Sequence, residues 1–392
     1  KLDDQDRFFA PRDHWEDDHR LPPITPGDGY YATTAIADHA LRCLREHATR
    51  FPDRPFFQYL AFTSPHFPLQ APDGDIVRYR GRYADGWDVI RARRGLRLRD
   101  LGIVASDLPS RDPAIVPRWN LPEAELTRRI GPGEVGRAVA WEGLTAEQRA
   151  FQAEKMAIHA AMIDRMDREI GRVLERLRAM GVLDDTLIVF ASDNGASAEQ
   201  IIRGDGHDPA APAGSPRSFL GLGPGWSSAA NTPFRLHKSY VHEGGIATPL
   251  IVSWPAGIRA RGELRTDPVH LIDLVPTLRE LAGVQPEEPG DGVDPPPLPG
   301  RSLVPAFARD GVIARDFLFF NHDGHHALRV GDWKLVTMAE TDHAPELYDL
   351  ATDRGERVNR AAMQPARVAA MAAQWAELEA AYRRQAGPGP RD

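Results

Sequence analysis

The stretch that most constrains the fold is an apolar run, Leu187–Ala191, which is followed closely by Asp193-Asn194-Gly195. β-Branched and aromatic residues dominate the run, which is typical of a strand buried on both faces of a mostly parallel sheet. Ligands of such sheets bind outside the carboxyl ends of the strands. A carboxylate and an amide oxygen placed there could bind a hard cation such as Ca²⁺ or Mg²⁺. Asn-Gly is also a strong turn signal, so a plain turn and a metal site both remain open.

Composition and charge exclude several classes of function. The 392 residues suffice for one large domain with a smaller one, or for two to three ordinary domains. A net charge of −8, without basic blocks interleaved with aromatics, argues against nucleic-acid binding. No apolar run approaches the roughly 20 residues needed to span a bilayer. The first residues are charged, so we expect no signal peptide among them. Cytoplasm and periplasm both remain open, and the sequence does not define the oligomeric state.

Periodicity predicts two helices in the first half of the chain. One runs from Tyr30 to Arg50, where apolar residues recur at helical spacing. The other begins after Thr145, which forms a capping-box pattern with Gln148, and ends at Gly181. Asp167 falls on the apolar stripe of this second helix, so we expect it to be buried and hydrogen-bonded.

Apolar runs predict the strands. Pro55–Phe62 precedes the second helix and Leu187–Ala191 follows it, which is the order of a βαβ unit, and Pro249–Trp254 is a further strand. Residues 73–145 and 196–231 are predicted to be irregular. Beyond a proline-rich linker at 286–300, short strands predict an antiparallel meander closed by a helix, Pro365–Arg384. These strands are Phe317–Phe320, Ala327–Val330, Trp333–Val336 and Glu346–Tyr348.

Three loops that follow predicted strands carry concentrated polar chemistry. They hold His66, the Asp193-Asn194 pair, and Lys238 with His242. A cation and a lysine can balance the charge of a tetrahedral oxyanion, and a histidine can donate a proton to a leaving group. Singly, each signal is weak, because a histidine beside prolines is usually structural and a lone lysine is usually solvated. Their joint placement after successive strands favours a site for a tetrahedral anion.

These residues also carry a resemblance to a known family. Together they resemble the type I sulfatases, and in particular the bacterial arylsulfatase branch. The matching segments are Ala61–Leu69, Met162–Asp167, Ser192–Gly195, Thr232–Arg235, Lys238, His242–Gly245, Asp273–Leu278, Gly331–Leu335 and Glu346–Leu350. They cover nearly the whole chain, and several motifs in the right order are more specific than any one of them.

The resemblance implies a fold, an activity and roles for particular residues. The fold would be alkaline-phosphatase-like α/β, with a mostly parallel central sheet flanked by helices and a small C-terminal antiparallel sheet with a terminal helix. The domains would be a catalytic domain at 1–285, the linker and a C-terminal subdomain at 301–392. The activity would be hydrolysis of small-molecule or carbohydrate sulfate esters to an alcohol and sulfate. Asp193 and Asn194 would help to hold calcium, His66 would contact the sulfate and the leaving oxygen, and Lys238 would bind the sulfate. His242 is a further candidate for contacting the substrate.

The sequence departs from the family pattern at the nucleophile. Sulfatases attack with a formylglycine hydrate made from a Cys or Ser in a Cys/Ser-x-Pro/Ala-x-Arg motif. Cys43, the single cysteine, is followed by Leu-Arg-Glu-His, and no serine version of the motif occurs. The two aspartates of the family's first strand are absent as well. We therefore expect the chain to be the C-terminal three-quarters of a sulfatase, to bind calcium weakly and not to turn over sulfate esters by the family mechanism.

Two alternatives stay open on the sequence. A phosphonate or phosphate ester hydrolase of the same superfamily would use the same residue types. A non-catalytic binder of sulfated ligands would keep Lys238 and His66 without a nucleophile. Both share with the sulfatase hypothesis a site for a tetrahedral anion.

Overall fold

The computed structural model describes residues 7–25, 27–203, 206–284 and 298–386. Contacts divide the chain into two compact units. The first unit takes its residues from 1–97, 110–184 and 196–238, and the second from 98–109, 185–195 and 239–392. Within the described ranges, no helix is both long enough and apolar enough to cross a membrane.

Helices and strands alternate irregularly along the described ranges. The α-helices there are α1 (Ala32–Arg50), α2 (Asp73–Ile76), α3 (Gly86–Asp100), α4 (Glu123–Arg129), α5 (Ala146–Ala179), α6 (Gly223–Ala230), α7 (Glu243–Ile246), α8 (Leu274–Leu281) and α9 (Pro365–Ala386). The strands are β1 (Trp15–Glu16), β2 (His19–Arg20), β3 (Ile188–Ala191), β4 (Leu250–Ser253), β5 (Leu318–His322), β6 (His325–Val330), β7 (Trp333–Thr337) and β8 (Glu346–Asp349).

Helix α5 confirms the predicted start and stop signals. The Thr145 hydroxyl accepts a hydrogen bond from the Gln148 backbone, and the Gln148 side chain accepts one from the Thr145 backbone. Gly181 has a positive φ of 72° after the last turn. The N–H groups of Gly181 and Val182 donate to the carbonyls of Arg178 and Leu177, which is the Schellman arrangement.

The capping box should be measurable as stability. We expect Thr145→Ala to lower the free energy of unfolding by about 1 kcal/mol, because a backbone N–H of the first turn loses its acceptor. Thr145→Ser keeps the hydroxyl and is the matched control. Urea unfolding followed by far-UV circular dichroism measures both variants. Equal losses for Ala and Ser would show that the cap does not act through this hydrogen bond.

The buried carboxylate of α5 is Glu169, whereas the predicted Asp167 is exposed. Helix α1 packs against α5, so the interface between these two helices decides which face is covered. Glu169 accepts a hydrogen bond from Thr34 of α1 at 2.8 Å and pairs with Arg172 one turn away at 2.5 Å. The prediction for Asp167 is therefore wrong, because the covered face of α5 lies to one side of the sequence stripe.

The core of the first unit is built around three tryptophans. The Trp87, Trp141 and Trp226 rings meet edge to face, with centroids 4.8–5.7 Å apart. Gly86 precedes the first of them with a φ of 80°, and a Cβ there would lie 2.1 Å from the Trp141 ring. Only glycine combines that backbone conformation with so close an approach.

The predicted strand Pro55–Phe62 is extended but unpaired within the described residues. Its side chains alternate between exposed and half-buried, as on a strand, and Phe57 and Tyr59 are 79% and 81% exposed. No backbone hydrogen bond joins this segment to another described segment. The strand prediction is therefore wrong as regards pairing, since a ladder needs a neighbouring strand as well as the right composition.

Strand β3 in the second unit corresponds to the apolar run before Asp193-Asn194. It pairs antiparallel with β4, with Val189 opposite Val252, and all four of its residues are half-buried. Two predictions are therefore wrong among the described residues: burial on both faces, and parallel pairing. A strand is buried on both faces only where other layers cover both sides of its sheet.

The C-terminal sheet confirms the predicted meander. Strands β5 to β8 pair antiparallel in sequence order. One face packs against α9 through Leu328, Leu335, Leu347 and Met371, and the other packs against Val241. The α/β class, the small antiparallel C-terminal sheet and the terminal helix are thus confirmed.

The predicted linker falls mostly outside the described residues. Of the range 286–300, the structure describes only 298–300. The domain boundaries at 285 and 301 therefore stay predictions.

Candidate functional site

His66 is held in the loop 63–69 of the first unit. The Ser64 hydroxyl donates to the carbonyl of Met162 on α5 at 3.2 Å, which anchors the loop. His66 Nδ1 lies 2.8 Å from the Phe67 carbonyl. Because a carbonyl only accepts, Nδ1 is assigned as the protonated nitrogen, and Nε2 is left as an acceptor.

Lys238 is held by the Asn231 side chain and the backbone of Ala196. The Asn231 amide donates to the carbonyls of Ala196 and Leu236 and accepts from the Ala196 N–H. The backbone N–H of Lys238 donates to the same Ala196 carbonyl at 3.1 Å. Leu236 and Ser239 have φ values of 63° and 79°, which are uncommon for residues other than glycine and cluster at functional sites.

The structure brings the two predicted residues of the first unit together. Lys238 Nζ lies 3.0 Å from His66 Nε2 and 3.0 Å from an oxygen of Glu199. The Lys238 side chain is 24% exposed, and that of Glu199 is 6% exposed. An ammonium has three N–H donors, and these two contacts occupy two of them.

The electrostatics of this cluster keep His66 neutral. Burial lowers the pKa of His66 below its ordinary value, and Lys238 lowers it further, against the opposing effects of the Phe67 carbonyl and Glu199. Burial by itself would raise the pKa of Glu199, but Lys238 and the hydrogen bonds of Ser197 and Trp119 outweigh it. The pKa of Glu199 is therefore lowered, and its carboxylate is charged at neutral pH.

A second cation accompanies Lys238. The positive charge of Arg203 also acts on His66. Its guanidinium carbon lies 5.5 Å from the centre of the Phe67 ring. With Glu199 offsetting one of the two positive charges, the cluster of Lys238, His66, Glu199 and Arg203 has a net charge of about +1 at neutral pH, which favours an anion.

Sequence reasoning missed Glu199. This residue lies four positions after Gly195, in a loop predicted to be irregular, and nothing in its spacing distinguishes it from the other acidic residues. Its role is visible only because the fold places it against Lys238, 39 positions along the chain.

Asp193 and Asn194 lie at the end of β3 in the second unit. The Asn194 N–H donates to Asp193 Oδ1 at 3.0 Å, and the Asn194 side-chain amide donates to the Gly195 carbonyl at 2.9 Å. Both hydrogen bonds join adjacent residues within the bend at 193–195. They leave the second carboxylate oxygen of Asp193, which is exposed, and the amide oxygen of Asn194 as the groups that could bind a cation.

The pair supplies only part of a calcium site. Calcium takes about six to eight oxygen ligands, whereas Asp193 and Asn194 offer one side-chain oxygen each beyond these hydrogen bonds. Among the residues that the structure describes, no group of three or more His, Cys, Asp and Glu side chains could hold a metal. The roles of Asp193 and Asn194 as calcium ligands therefore stay predictions.

His242 is buried in the second unit. Its Nε2 lies 2.8 Å from Glu346, and the Tyr348 hydroxyl donates to the same carboxylate oxygen at 2.5 Å. These contacts favour a structural role, and substrate contact by His242 stays a prediction. The neighbouring Glu243 joins a buried ion network with Lys334 on β7.

Models of known protein families match most of the chain. Residues 2–284 match the family model described as Sulfatase. Residues 234–382 match the model of the C-terminal part of N-sulphoglucosamine sulphohydrolase.

Two curated relatives illustrate the similarity. An uncharacterized sulfatase of Schizosaccharomyces pombe is 32% identical over 352 residues, which are 86% of this chain and 59% of the relative. An arylsulfatase of Klebsiella aerogenes is 35% identical over 248 residues, which are 60% of this chain and 48% of the relative. The chain thus spans about half the length of these relatives.

Solved structures share the fold at lower identity. One was determined in complex with its substrate D-glucosamine-2-N,6-O-disulfate. It has a TM-score of 0.56 and 19% identity, and the match covers 99% of this chain and 76% of the other. A phosphonate monoester hydrolase from Silicibacter pomeroyi has a TM-score of 0.50 and 22% identity, with coverage of 98% and 66%. At these identities the likeness concerns the fold alone.

Proposed function

The chain belongs to the sulfatase family, and on that basis we propose that it binds the sulfate group of sulfuric esters at Lys238 and His66, as part of a sulfatase of the arylsulfatase type. The observation that carries the proposal is the contact of the partly exposed Lys238 ammonium with His66, 3.0 Å away. It joins two loops that the sequence motifs marked independently. The K. aerogenes arylsulfatase, at 35% identity, supports the arylsulfatase type.

The geometry supports anion binding by Lys238 in a defined way. Glu199 and His66 fix the direction of the Nζ atom and leave its third N–H for a sulfate oxygen. Arg203 supplies the further positive charge that offsets Glu199. A sulfate group held there replaces water around the ammonium with a charge-assisted hydrogen bond.

The hydrogen bonds also support a proposed source for the proton that the leaving oxygen needs. His66 Nε2 is an acceptor in this structure and carries no proton to give, since Nδ1 already donates to the Phe67 carbonyl. The Lys238 ammonium holds the proton and can pass it to the leaving oxygen, either directly or through His66 Nε2. The proposed acid is therefore the Lys238–His66 pair, and His66 alone is the less suitable donor.

Formylglycine and calcium enter as family expectations. Cys43 lies within α1, with its Sγ 3.5 Å from His39, and is not followed by the formylglycine motif. When bound, calcium would supply positive charge, and Asp193 and Asn194 are its proposed ligands. Binding of sulfate at Lys238 is the part of the function that this chain can be tested for directly.

The substrates are proposed to be aryl or carbohydrate sulfates. A structure that shares the fold was solved with a sulfated glucosamine. Hydrolysis of phosphonate or phosphate esters and non-catalytic binding of sulfated ligands remain hypotheses, because Lys238 and His66 suit all three. Hydrolysis rates measured in parallel on aryl sulfate, phosphate diester and phosphonate distinguish a sulfatase from a phosphonate or phosphate ester hydrolase.

Amine labelling tests sulfate binding without requiring turnover. The only lysines of the sequence are Lys1, Lys155, Lys238 and Lys334, and Lys155 and Lys334 are fully buried. Neither of these two should react, so acetylation of the native protein should report on Lys238 and on Lys1 with its α-amine, which peptide mass spectrometry can quantify separately. We expect sodium sulfate to slow the modification of Lys238 several-fold, because the anion occupies the ammonium.

Two comparisons make the labelling result specific. Sodium chloride at matched ionic strength should protect Lys238 much less, and labelling of the α-amine should be unaffected by either salt. His66→Ala should weaken the protection while leaving Lys238 accessible. Equal labelling rates in sulfate and chloride would refute the proposed sulfate site.

A further inference from the structure

Trp119 is a partly exposed tryptophan beside the proposed sulfate site. Its side chain is 37% exposed, whereas the three core tryptophans of the same unit are buried. The indole Nε1 donates to one oxygen of Glu199 at 2.9 Å, and the other oxygen of Glu199 pairs with Lys238. The ring and the ammonium thus share one carboxylate and lie two hydrogen bonds apart.

The backbone next to Trp119 is fixed to the loop that carries Glu199. Asn120 donates through its side chain to the Ala198 carbonyl at 3.1 Å and accepts from the Gln200 N–H at 2.9 Å. The Leu121 N–H donates to the Gln200 carbonyl at 3.1 Å. The position of the ring relative to Lys238 is therefore set before any ligand arrives, which lowers the entropy lost on binding.

A preorganised, partly exposed indole that lies two hydrogen bonds from an anion-binding ammonium can select for the group attached to the anion. The flat face of an indole gains most from a second ring, either an aryl group or the C–H face of a pyranose. We propose that Trp119 is a stacking surface for ring-bearing sulfate esters whose sulfate group is held by Lys238. This inference rests on the proposed function of sulfate binding.

The test compares small sulfate esters by their protection of Lys238 from acetylation in the full chain. The ligands are inorganic sulfate, methyl sulfate, phenyl sulfate and glucose 6-sulfate. We expect at least one of the two ring-bearing esters to protect at a concentration about 3- to 10-fold lower than methyl sulfate. Which of the two does so identifies an aryl or a sugar ring as the preferred group.

Variants separate the ring from its hydrogen bond. Trp119→Ala should reduce the preference for ring-bearing over methyl sulfate to about one, whereas Trp119→Phe should retain most of it. Tyr59→Ala removes an 81% exposed aromatic elsewhere in the same unit and should leave the preference intact. Protection by inorganic sulfate with no preference among the esters would overturn the role of Trp119 while sustaining the sulfate site. No protection by any sulfate would overturn both.

Discussion

Replacing Lys334 by methionine is expected to lower the free energy of unfolding by about 3–5 kcal/mol. Lys334 is fully buried on β7, and its ammonium lies 3.0 Å from Glu243 and 2.9 Å from Glu356. Both carboxylates are buried, and Glu356 also accepts from the Glu243 backbone. Removal of the ammonium leaves two like charges close together in a region with little solvent.

Arg354 compensates only part of this loss. Its guanidinium donates to Glu243 at 2.8 and 3.1 Å but is partly exposed. Burial by itself would raise the pKa of Glu243, but Lys334 and Arg354 outweigh it, and the pKa lies well below its ordinary value. In the Lys334→Met variant, either the buried carboxyls take up protons or the protein unfolds. The loss in the free energy of unfolding should therefore shrink as the pH falls.

Urea unfolding at neutral pH measures the effect, with two reference variants. Arg383→Ala removes an exposed partner of Glu379 and should cost less than about 0.5 kcal/mol. Lys334→Met combined with Glu243→Gln and Glu356→Gln should recover part of the stability, because no unpaired charge remains buried. A loss below about 1 kcal/mol for the single variant would mean that water already solvates these carboxylates.

The second large effect is a loss of stability in mild acid. Burial lowers the pKa of His159 to about 4. Burial, aided by Arg91, lowers the pKa of His237 to about 3. Both imidazoles are neutral in the folded protein. In the unfolded chain they take up a proton near pH 6.5, the ordinary pKa of histidine. Their contribution to stability is thus present above pH 6.5 and is lost as the pH falls from there toward the folded values.

The expected size follows from the linkage between protonation and folding. Between pH 7 and pH 5, each of these histidines should lower the free energy of unfolding by about 2 kcal/mol, or roughly 4 kcal/mol together. Paired carboxylates contribute little to this slope, because their protonation becomes important only below about pH 5. Urea midpoints measured at pH 7, 6 and 5 give the slope directly.

His159→Phe removes one titrating group while keeping an aromatic side chain in place. The loss in the free energy of unfolding between pH 7 and pH 5 should then be about half of that expected for the two histidines together. His19→Gln, at an exposed position, should leave the slope unchanged. If His159→Phe shows the same slope as the wild type, His159 must be protonated within the folded protein.

Local sequence signals correctly predicted those helices and strands whose hydrogen bonds join residues close together in the chain. The capping box at Thr145 and the glycine stop at Gly181 bracket α5 as predicted. The C-terminal meander formed because short alternating strands joined by tight turns pair with their sequence neighbours. Such hydrogen bonds close over a few residues, so the sequence near each element is sufficient to specify them.

Two predictions that depended on contacts with distant parts of the chain were wrong. Pro55–Phe62 has the composition of a strand but no ladder among the described residues, and Asp167 has the spacing of a core position but is exposed. In both cases the outcome depends on which element covers the segment. Periodicity describes only the segment itself.

The site shows the same division. By itself, the sequence determined the family and marked His66, Lys238 and the Asp193-Asn194 pair, because motif order and residue type suffice for that inference. Only the tertiary structure placed Lys238 between His66 and Glu199, set Trp119 on the same carboxylate, and buried His242 against Glu346. It also showed the strand-end pair Asp193-Asn194 as a bend in which two side-chain oxygens stay available for a cation. The reason is physical: the charge, the protonation state and the free donors of a side chain depend on atoms within a few ångströms, and those atoms come from distant parts of the chain.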